Sequence, residues 1–331
     1  MPKLVIKLAA GTNVGLVRGN NEDNFIVSKN LGQAEWLVPQ STEPVTLSKY
    51  GSLLVVADGM GGANAGEVAS AIAIETIQEM FVPENIEEIL PEGQPEGVEN
   101  RIKDFLIKVI KTADSNIGKE SEINSSTQGM GTTIVLAWIL DGKAYIAWCG
   151  DSRCYVFNSA SGLMRLSKDH SYVQELVDQG KLDPENTFDH PYSNIITRCL
   201  GNSDNRATPD FRSYELKNGD VILLCSDGLC GVCRDEEIME IIKEQEEDMM
   251  TCKDSLIEAA LSAGGYDNVT VALCRIHDME TVSTEMGNTV FDKPKHTVRK
   301  LLLIIFALVA LLLIGFYICR TYFPELSLIA G

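Results

Sequence analysis

Seven short apolar runs frame this chain: residues 4–8, 53–57, 133–138, 144–148, 155–158, 221–225 and 269–274. They are rich in Val, Ile, Leu and aromatics and are punctuated by Gly, Asp or Asn, the pattern of strands ended by turns. Two longer segments carry a different period. Ile102, Phe105, Leu106, Val109, Ile110, Ala113 and Ile117 follow the alternating three- and four-residue spacing of one helical face. Val68, Ala69, Ile72, Ile77, Met80 and Phe81 do so less strictly, with Asn64 as a candidate cap and Glu67 as its capping-box partner. Shorter helices are expected over 173–179, 236–243 and 255–263, and residues 83–97, with three Pro and two Gly, read as an acidic loop. Strands and helices are not strictly interleaved, so the fold class is α+β rather than doubly wound.

The far end obeys another rule. Residues 301–319, LLLIIFALVALLLIGFYIC, carry no charge and as a helix would span roughly 28 Å, the thickness of a bilayer core. Lys293, Lys295, Arg299 and Lys300 precede the run and only Arg320 follows it. That asymmetry predicts a single-pass span with the large N-terminal portion in the cytoplasm. Tyr317, Tyr322 and Phe323 suit an interfacial belt. The expected organisation is a domain over 1–277, a polar linker over 278–300, a transmembrane helix over 301–319 and a short outer tail over 320–331. The N-terminus reads as a strand and lacks the features of a secretory leader.

Residues 1–290 hold 23 Lys and Arg against 45 Asp and Glu, a net charge of −22. Such a surface repels phosphodiester backbones, so nucleic acid is not an expected partner. Nine cysteines without regular spacing point to a reducing compartment rather than a disulfide framework.

The chemistry gathers where strands end. Asp58 follows LLVVA and precedes GMGG; Asp151 follows AYIAWCG; Asp227 follows VILLCS; Asp267 precedes VTVALC; and Glu22 and Asp23 follow Arg18 and Asn21. A carboxylate on such a turn is held by a rigid strand yet reaches solvent, and an adjacent glycine lets backbone carbonyls approach a ligand. An oxygen-only ligand set suits Mg²⁺ or Mn²⁺ rather than zinc. An Asp-Gly pair is also an ordinary turn. Spacing therefore leaves open whether these residues converge on one two-metal site or serve as separate turns.

Eight segments together say more: RGNNEDNF (18–25), VADGMGG (56–62) followed by NAGEVAS, GMGTT (129–133), GDSR (150–153), DHS (169–171), HPYSNIITR (190–198), CSDGL (225–229) and YDNVT (266–270). In this order, across residues 6 to about 277, they closely resemble the protein phosphatase 2C family in its bacterial form. The resemblance implies a four-layer α-β-β-α sandwich of two mainly antiparallel sheets flanked by helices. It implies hydrolysis of phosphoserine and phosphothreonine in proteins, using two Mn²⁺ or Mg²⁺ ions and a third, weaker one. Asp58 looks like the ligand bridging both metals, with the Gly59 carbonyl completing the second. Asp227 and Asp267 resemble ligands of the first, Glu22 and Asp23 holders of metal-bound water, and Asp151 with Asp227 the third site. Arg18 matches the phosphate-binding arginine, whose guanidinium fork suits two phosphate oxygens. A hydroxide bridging the metals is then the expected nucleophile. Met60 stands where animal members carry a histidine, which leaves a metal-bound water as the proton donor, and Ala63 replaces a histidine frequent in bacterial relatives. Residues around 165–200 resemble the flap beside the site. The expected partners are phosphorylated proteins and a kinase of the bacterial Hanks type as natural opponent.

Other signals carry less. Cys230 and Cys233 form a single C-x-x-C without a second pair, a poor zinc site. The acidic run 235–248 has an apolar face through Ile238, Ile241 and Ile242, as a solvated helix does. GMGTT lacks the Lys-Ser or Lys-Thr of a nucleotide loop. His170 and His190 read first as residues that pack turns and second as flap chemistry. The rivals to an active phosphatase are a phosphoprotein-binding module without turnover, against which intact Asp58, Asp227 and Asp267 argue, and the same chemistry on a small phosphorylated metabolite.

Overall fold

The computed structural model describes residues 4–33, 36, 43–61, 65–91, 93, 96–201 and 207–277. Two antiparallel sheets face each other. The first runs β10 (Gly162–Arg165), β9 (Arg153–Asn158), β12 (Val221–Cys225), β13 (Val269–His277), β1 (Val5–Asn13) and β3 (Val45–Thr46). The second runs β11 (Asp210–Glu215), β8 (Lys143–Cys149), β7 (Ile134–Leu140), β4 (Ser52–Ala57) and β2 (Asn24–Ser28). A two-residue pair, β5 (Gly59–Met60) with β6 (Gly131–Thr132), sits beside the second sheet's end.

The layering follows from strand parity. In β7, Val135, Ala137 and Ile139 point into the seam between the sheets, while Ile134, Leu136, Trp138 and Leu140 point outward beneath helices. In β12, Ile222 and Leu224 face the seam and Val221, Leu223 and Cys225 face away. Successive side chains on a strand alternate faces, so a strand apolar at every position is covered on both sides. The outer cover of the second sheet is α1 (Ala65–Met80) with α3 (Val98–Ile123). That of the first is α5 (Asp227–Cys230), α6 (Asp235–Glu244) and α7 (Met249–Ser262). The result is the expected layered α+β arrangement of antiparallel sheets flanked by helices.

Trp138 shows how the outer layer is fixed. Its fully buried ring meets the edge of Phe81 at 5.3 Å, Phe81 meets Phe105 at 5.0 Å, and its indole N–H donates to the Tyr50 carbonyl at 2.9 Å. Truncation to alanine there would cost about 3–5 kcal/mol.

All seven expected strands are present, several longer than their apolar runs. The reading of 83–97 as a loop is corrected: Pro83–Ile89 is a helix, α2. Proline sits at its first turn, where no backbone N–H is required, and Ile86 is buried in the core beneath it. Asn64, the expected cap of α1, and Ala63 lie outside the described residues. So do the linker 278–300 and the apolar run 301–319. Among the described residues no helix is long and apolar enough to cross a membrane. The segment resembling a flap holds α4 (Tyr172–Asp178), capped by Ser171, whose hydroxyl accepts from the Gln174 N–H. Its base is pinned where Tyr172 N–H donates to Ile195 O at 2.8 Å and Thr197 N–H to His170 O at 2.8 Å.

Candidate functional site

Strand register brings the acidic residues to one end of the sandwich. In the second sheet Asn24 pairs with Ala57, Val56 with Val135, and Ile134 with Cys149. Asp23, Asp58 and the turn bearing Asp151 therefore leave the sheet together. In the first, Arg153 pairs with Cys225, Cys225 with Val271, and Asn13 with Val269. The turns of Asp151, Asp227 and Asp267 and the loop carrying Arg18 emerge at that same end.

Hydroxyl groups fix each turn. Asp58 donates its N–H to Thr133 Oγ1 at 3.2 Å, while its carbonyl accepts from Thr133 N–H at 2.8 Å and Thr132 Oγ1 at 2.9 Å. Thr133 Oγ1 lies 2.6 Å from Ser152 Oγ, which links the Asp58 turn to the Asp151 turn. Asp23 is buried, and one carboxylate oxygen accepts from Thr270 Oγ1 at 2.6 Å and Ser226 Oγ at 2.8 Å. Asn268 binds the loops together: its side-chain carbonyl accepts from Glu22 N–H at 2.7 Å and its amide donates to Val14 O and Asn20 O, each at 2.9 Å. Gly59 donates its N–H to the Glu22 carbonyl, and a Cβ there would meet Gly66 O at 2.3 Å and Glu22 O at 2.5 Å. Only glycine fits at that contact.

Crowding raises the proton affinity of the cluster. Burial, then repulsion by Asp23, Asp227 and Asp151, holds Asp58 well above the usual carboxylate range, with a hydrogen bond from Asp58 to Asp227. Burial, then the charges of Asp227 and Asp267, lifts Asp23 to about 7 despite its two hydroxyl partners. Burial, then Asp227 and Asp169, raises Asp151, and burial, then Asp267, raises Asp227. Glu22 is raised chiefly by burial. Asp267 is turned to Arg18, whose Nη2 reaches its Oδ2 at 2.6 Å. Among the described residues no three Asp, Glu, His or Cys side chains close on one point as a finished cation cage.

The donor set nonetheless fits hard cations. It is built of oxygen alone. Asp151 Oδ1 is buried without a hydrogen-bond partner among the described residues, and mutual repulsion among carboxylates is what a positive ion relieves.

Three sets of residues carry positioning roles that the sequence did not announce. Ser226 and Thr270 hold Asp23, Thr132, Thr133 and Ser152 hold Asp58, and Asn268 holds the loops. All lie inside motifs already singled out, and a hydroxyl or amide beside each aspartate was the available signal. Arg153 reaches Asp169 at 2.8 Å and Tyr155 Oη at 2.9 Å, joining the Asp151 turn to the segment before α4. His170 packs a turn: its Nδ1 accepts from Gly150 N–H at 3.1 Å and its ring stacks on Trp148. Burial keeps its pKa low. His190 Nδ1 accepts from Tyr192 N–H at 3.2 Å. Cys230 and Cys233 are buried in the core beneath α6 and α7. A hydrogen bond with Cys225 and then burial push the Cys230 thiol well up, and burial pushes Cys233 to about 11, which suits inert thiols. No disulfide joins the eight described cysteines.

Known proteins resemble this chain in sequence and fold. A family model described as protein phosphatase 2C matches residues 44–275. The serine/threonine protein phosphatase PstP of Mycobacterium tuberculosis is 32% identical over 285 residues, covering 85% of this chain and 47% of that protein. This chain therefore spans about half the length of that relative. The serine/threonine phosphatase stp of Listeria monocytogenes is 33% identical over 262 residues, 79% of this chain and 92% of that protein. The solved catalytic domain of PstP in complex with two manganese ions superposes with a TM-score of 0.62 at 31% identity, covering 83% of this chain and all of that one. With the family model spanning more than two thirds of its length and the sandwich matching a solved member, this chain belongs to the protein phosphatase 2C family.

Proposed function

We propose that the chain is a metal-dependent protein serine/threonine phosphatase, opposing a Ser/Thr kinase on shared phosphoproteins. The carrying observation is one cluster: six buried or half-buried carboxylates at one end of the sandwich, one with an orphaned oxygen, beside a half-exposed arginine. The names of the relatives support the reading. Asp58, the Gly59 carbonyl, Asp227 and Asp267 would hold two Mn²⁺ or Mg²⁺ ions, Glu22 and Asp23 would order water around them, and Asp151 with Asp227 would serve a third. Such ions, when bound, lower the pKa of water toward neutrality and offset charge on phosphoryl oxygens.

The chain's own residues do the rest. The Arg18 guanidinium binds phosphoryl oxygens as a fork and orients the ester for in-line displacement by water. Thr132 and Thr133 keep the Asp58 backbone from shifting, and the Ser226 and Thr270 hydroxyls hold Asp23 in place. Met60 is a thioether with no proton to give, so the leaving oxygen takes its proton from water. The uncharged run 301–319 and its basic flank support a single-pass anchor with the catalytic domain in the cytoplasm. A reporter fused after Gly331 should then appear outside, and a cytoplasmic signal would refute the topology.

The enzyme reading is tested with the full chain, a phosphothreonine peptide and p-nitrophenyl phosphate, in Mn²⁺, Mg²⁺ or chelator. Turnover should require the cation, and Asp58→Asn should lower it at least ~10³-fold with the fold intact. Absence of cation-dependent release from either substrate would sink the assignment.

A further inference from the structure

Two loops that frame Arg18 and Asp267 also carry exposed apolar side chains. Leu16, Val17 and Tyr266 are 69, 65 and 65% exposed. Leu16 and Val17 directly precede Arg18, and Tyr266 directly precedes Asp267. A scattered apolar residue at a mobile loop tip needs no explanation, but these loops are locked. Leu16 N–H donates to Gly265 O at 2.7 Å. Asn268 holds the Val14 and Asn20 carbonyls. Gly15, at φ +80°, is pressed so close that a Cβ would strike Asp267 O at 2.3 Å.

Two of these side chains, Leu16 and Tyr266, lie over adjoining backbone. A Cβ on Gly265 would meet Leu16 Cγ at 2.8 Å, and one on the adjacent Gly264 would meet the Tyr266 ring at 2.3 Å. Leu16 and Tyr266 therefore cover neighbouring glycines. This rigid apolar ledge directly adjoins, along the chain, the arginine that binds the phosphoryl group under the proposed function and the aspartate paired with it.

We infer that the ledge is a substrate-docking surface selecting phosphopeptides with aliphatic or aromatic side chains within about three positions of the phosphorylated residue. The inference rests on the phosphatase reading above. Leu16 is two residues from Arg18, at most about 7 Å between Cα atoms. An extended peptide advances ~3.3 Å per residue, so a phosphate on Arg18 lays its near neighbours over the ledge. Acidic neighbours are disfavoured, because a chain with a net charge of −19 repels them.

The test uses the full chain loaded with Mn²⁺ in lipid nanodiscs. Its substrates are p-nitrophenyl phosphate and three phosphothreonine peptides, flanked by Leu and Phe, by Gly and Ser, or by Asp and Glu. The wild type should favour the apolar peptide over the Gly/Ser one by about tenfold in kcat/KM, mainly through KM, with the acidic peptide poorest. The triple variant Leu16→Ser, Val17→Ser, Tyr266→Ser should drop to the Gly/Ser level on the apolar peptide. It should stay within about twofold of wild type on p-nitrophenyl phosphate, which has no flanks. Equal wild-type rates on the apolar and Gly/Ser peptides would overturn the docking surface while leaving the phosphatase standing. So would an equal loss on every substrate, or a wild-type dimer that the triple variant dissolves. No cation-dependent turnover of any substrate would instead remove the phosphatase reading beneath it.

Discussion

Arg18 Nη2 lies 2.6 Å from Asp267 Oδ2, so the expected phosphate fork is also a partner of an expected metal ligand. The two groups are half-exposed, and a pair of this kind contributes about 0.2–1 kcal/mol. That is small enough to be exchanged when a phosphoryl group or a cation competes for either side. Arg18→Ala should therefore lower kcat/KM on a phosphopeptide by roughly 10²-fold. The same variant should bind Mn²⁺ no more weakly, and up to ~5-fold more tightly, because Asp267 loses its competitor. Arg18→Lys keeps the charge without the fork and should fall between. Steady-state kinetics with calorimetric Mn²⁺ titration separates the two roles; weaker Mn²⁺ binding in Arg18→Ala would contradict this competition.

Ser226→Ala and Thr270→Val each remove one hydroxyl from the buried Asp23 carboxylate. Each should destabilise the fold by about 1–3 kcal/mol. Support of this kind typically carries 10–100-fold in metal affinity. Chemical denaturation and Mn²⁺ titration should both shift, whereas unchanged Mn²⁺ affinity would confine the hydroxyls to stability.

The carboxylate cluster sets the pH response of the metal-stripped chain. Asp23, Asp58, Asp151 and Asp227 all have folded-state values raised above their unfolded ones. The folded state then binds more protons, so stability falls as pH rises. For Asp23 the loss begins above the ordinary aspartate value of 3.8 and is complete beyond about 7. Thermal melts in chelator should drop between pH 5 and pH 8, and added Mn²⁺ should reverse the drop at pH 8. A metal-free chain more stable at pH 8 than at pH 5 would mean the carboxylates are not crowded as described.

Gly15→Ala forces a side chain into a left-handed backbone position against the Asp267 carbonyl. About 1–3 kcal/mol of destabilisation is expected, together with weaker Mn²⁺ binding from a displaced Asp267. Gly129 has the same φ of +80° with open space around it. Gly129→Ala should therefore cost about 1 kcal/mol and leave Mn²⁺ binding alone. Equal effects in the two variants would show that strain alone, and not the contact with Asp267, is at stake.

Much of this was legible because burial on both faces leaves a continuous apolar signature, as in Val221–Cys225, read with its observed bounds. Edge strands escape that logic. Asp210–Glu215, with half-buried and exposed positions throughout, reads as DFRSYE and gives no such run. Pro83–Ile89 also escapes it, because a proline that reads as a breaker is equally at home in a helix's first turn. Among site residues the aspartates announced themselves by standing at strand ends. Ser226, Thr270 and Asn268 did not, since a hydroxyl or amide declares its role only through what lies opposite it, and those partners are 203, 247 and 246 residues away.

One pairing in the first sheet governs how this domain can be attached to anything else. Val5 lies opposite His277, and Asn13 opposite Val269, so β1 and β13 carry the domain's entry and exit side by side. The carboxylate cluster is at the other end of those strands, eight residue steps or roughly 27 Å away. Cargo, surface or tether joined at either end is therefore attached to the strand ends opposite the carboxylate cluster. A short bridge from 277 to 5 should permit circular permutation with the carboxylate cluster undisturbed.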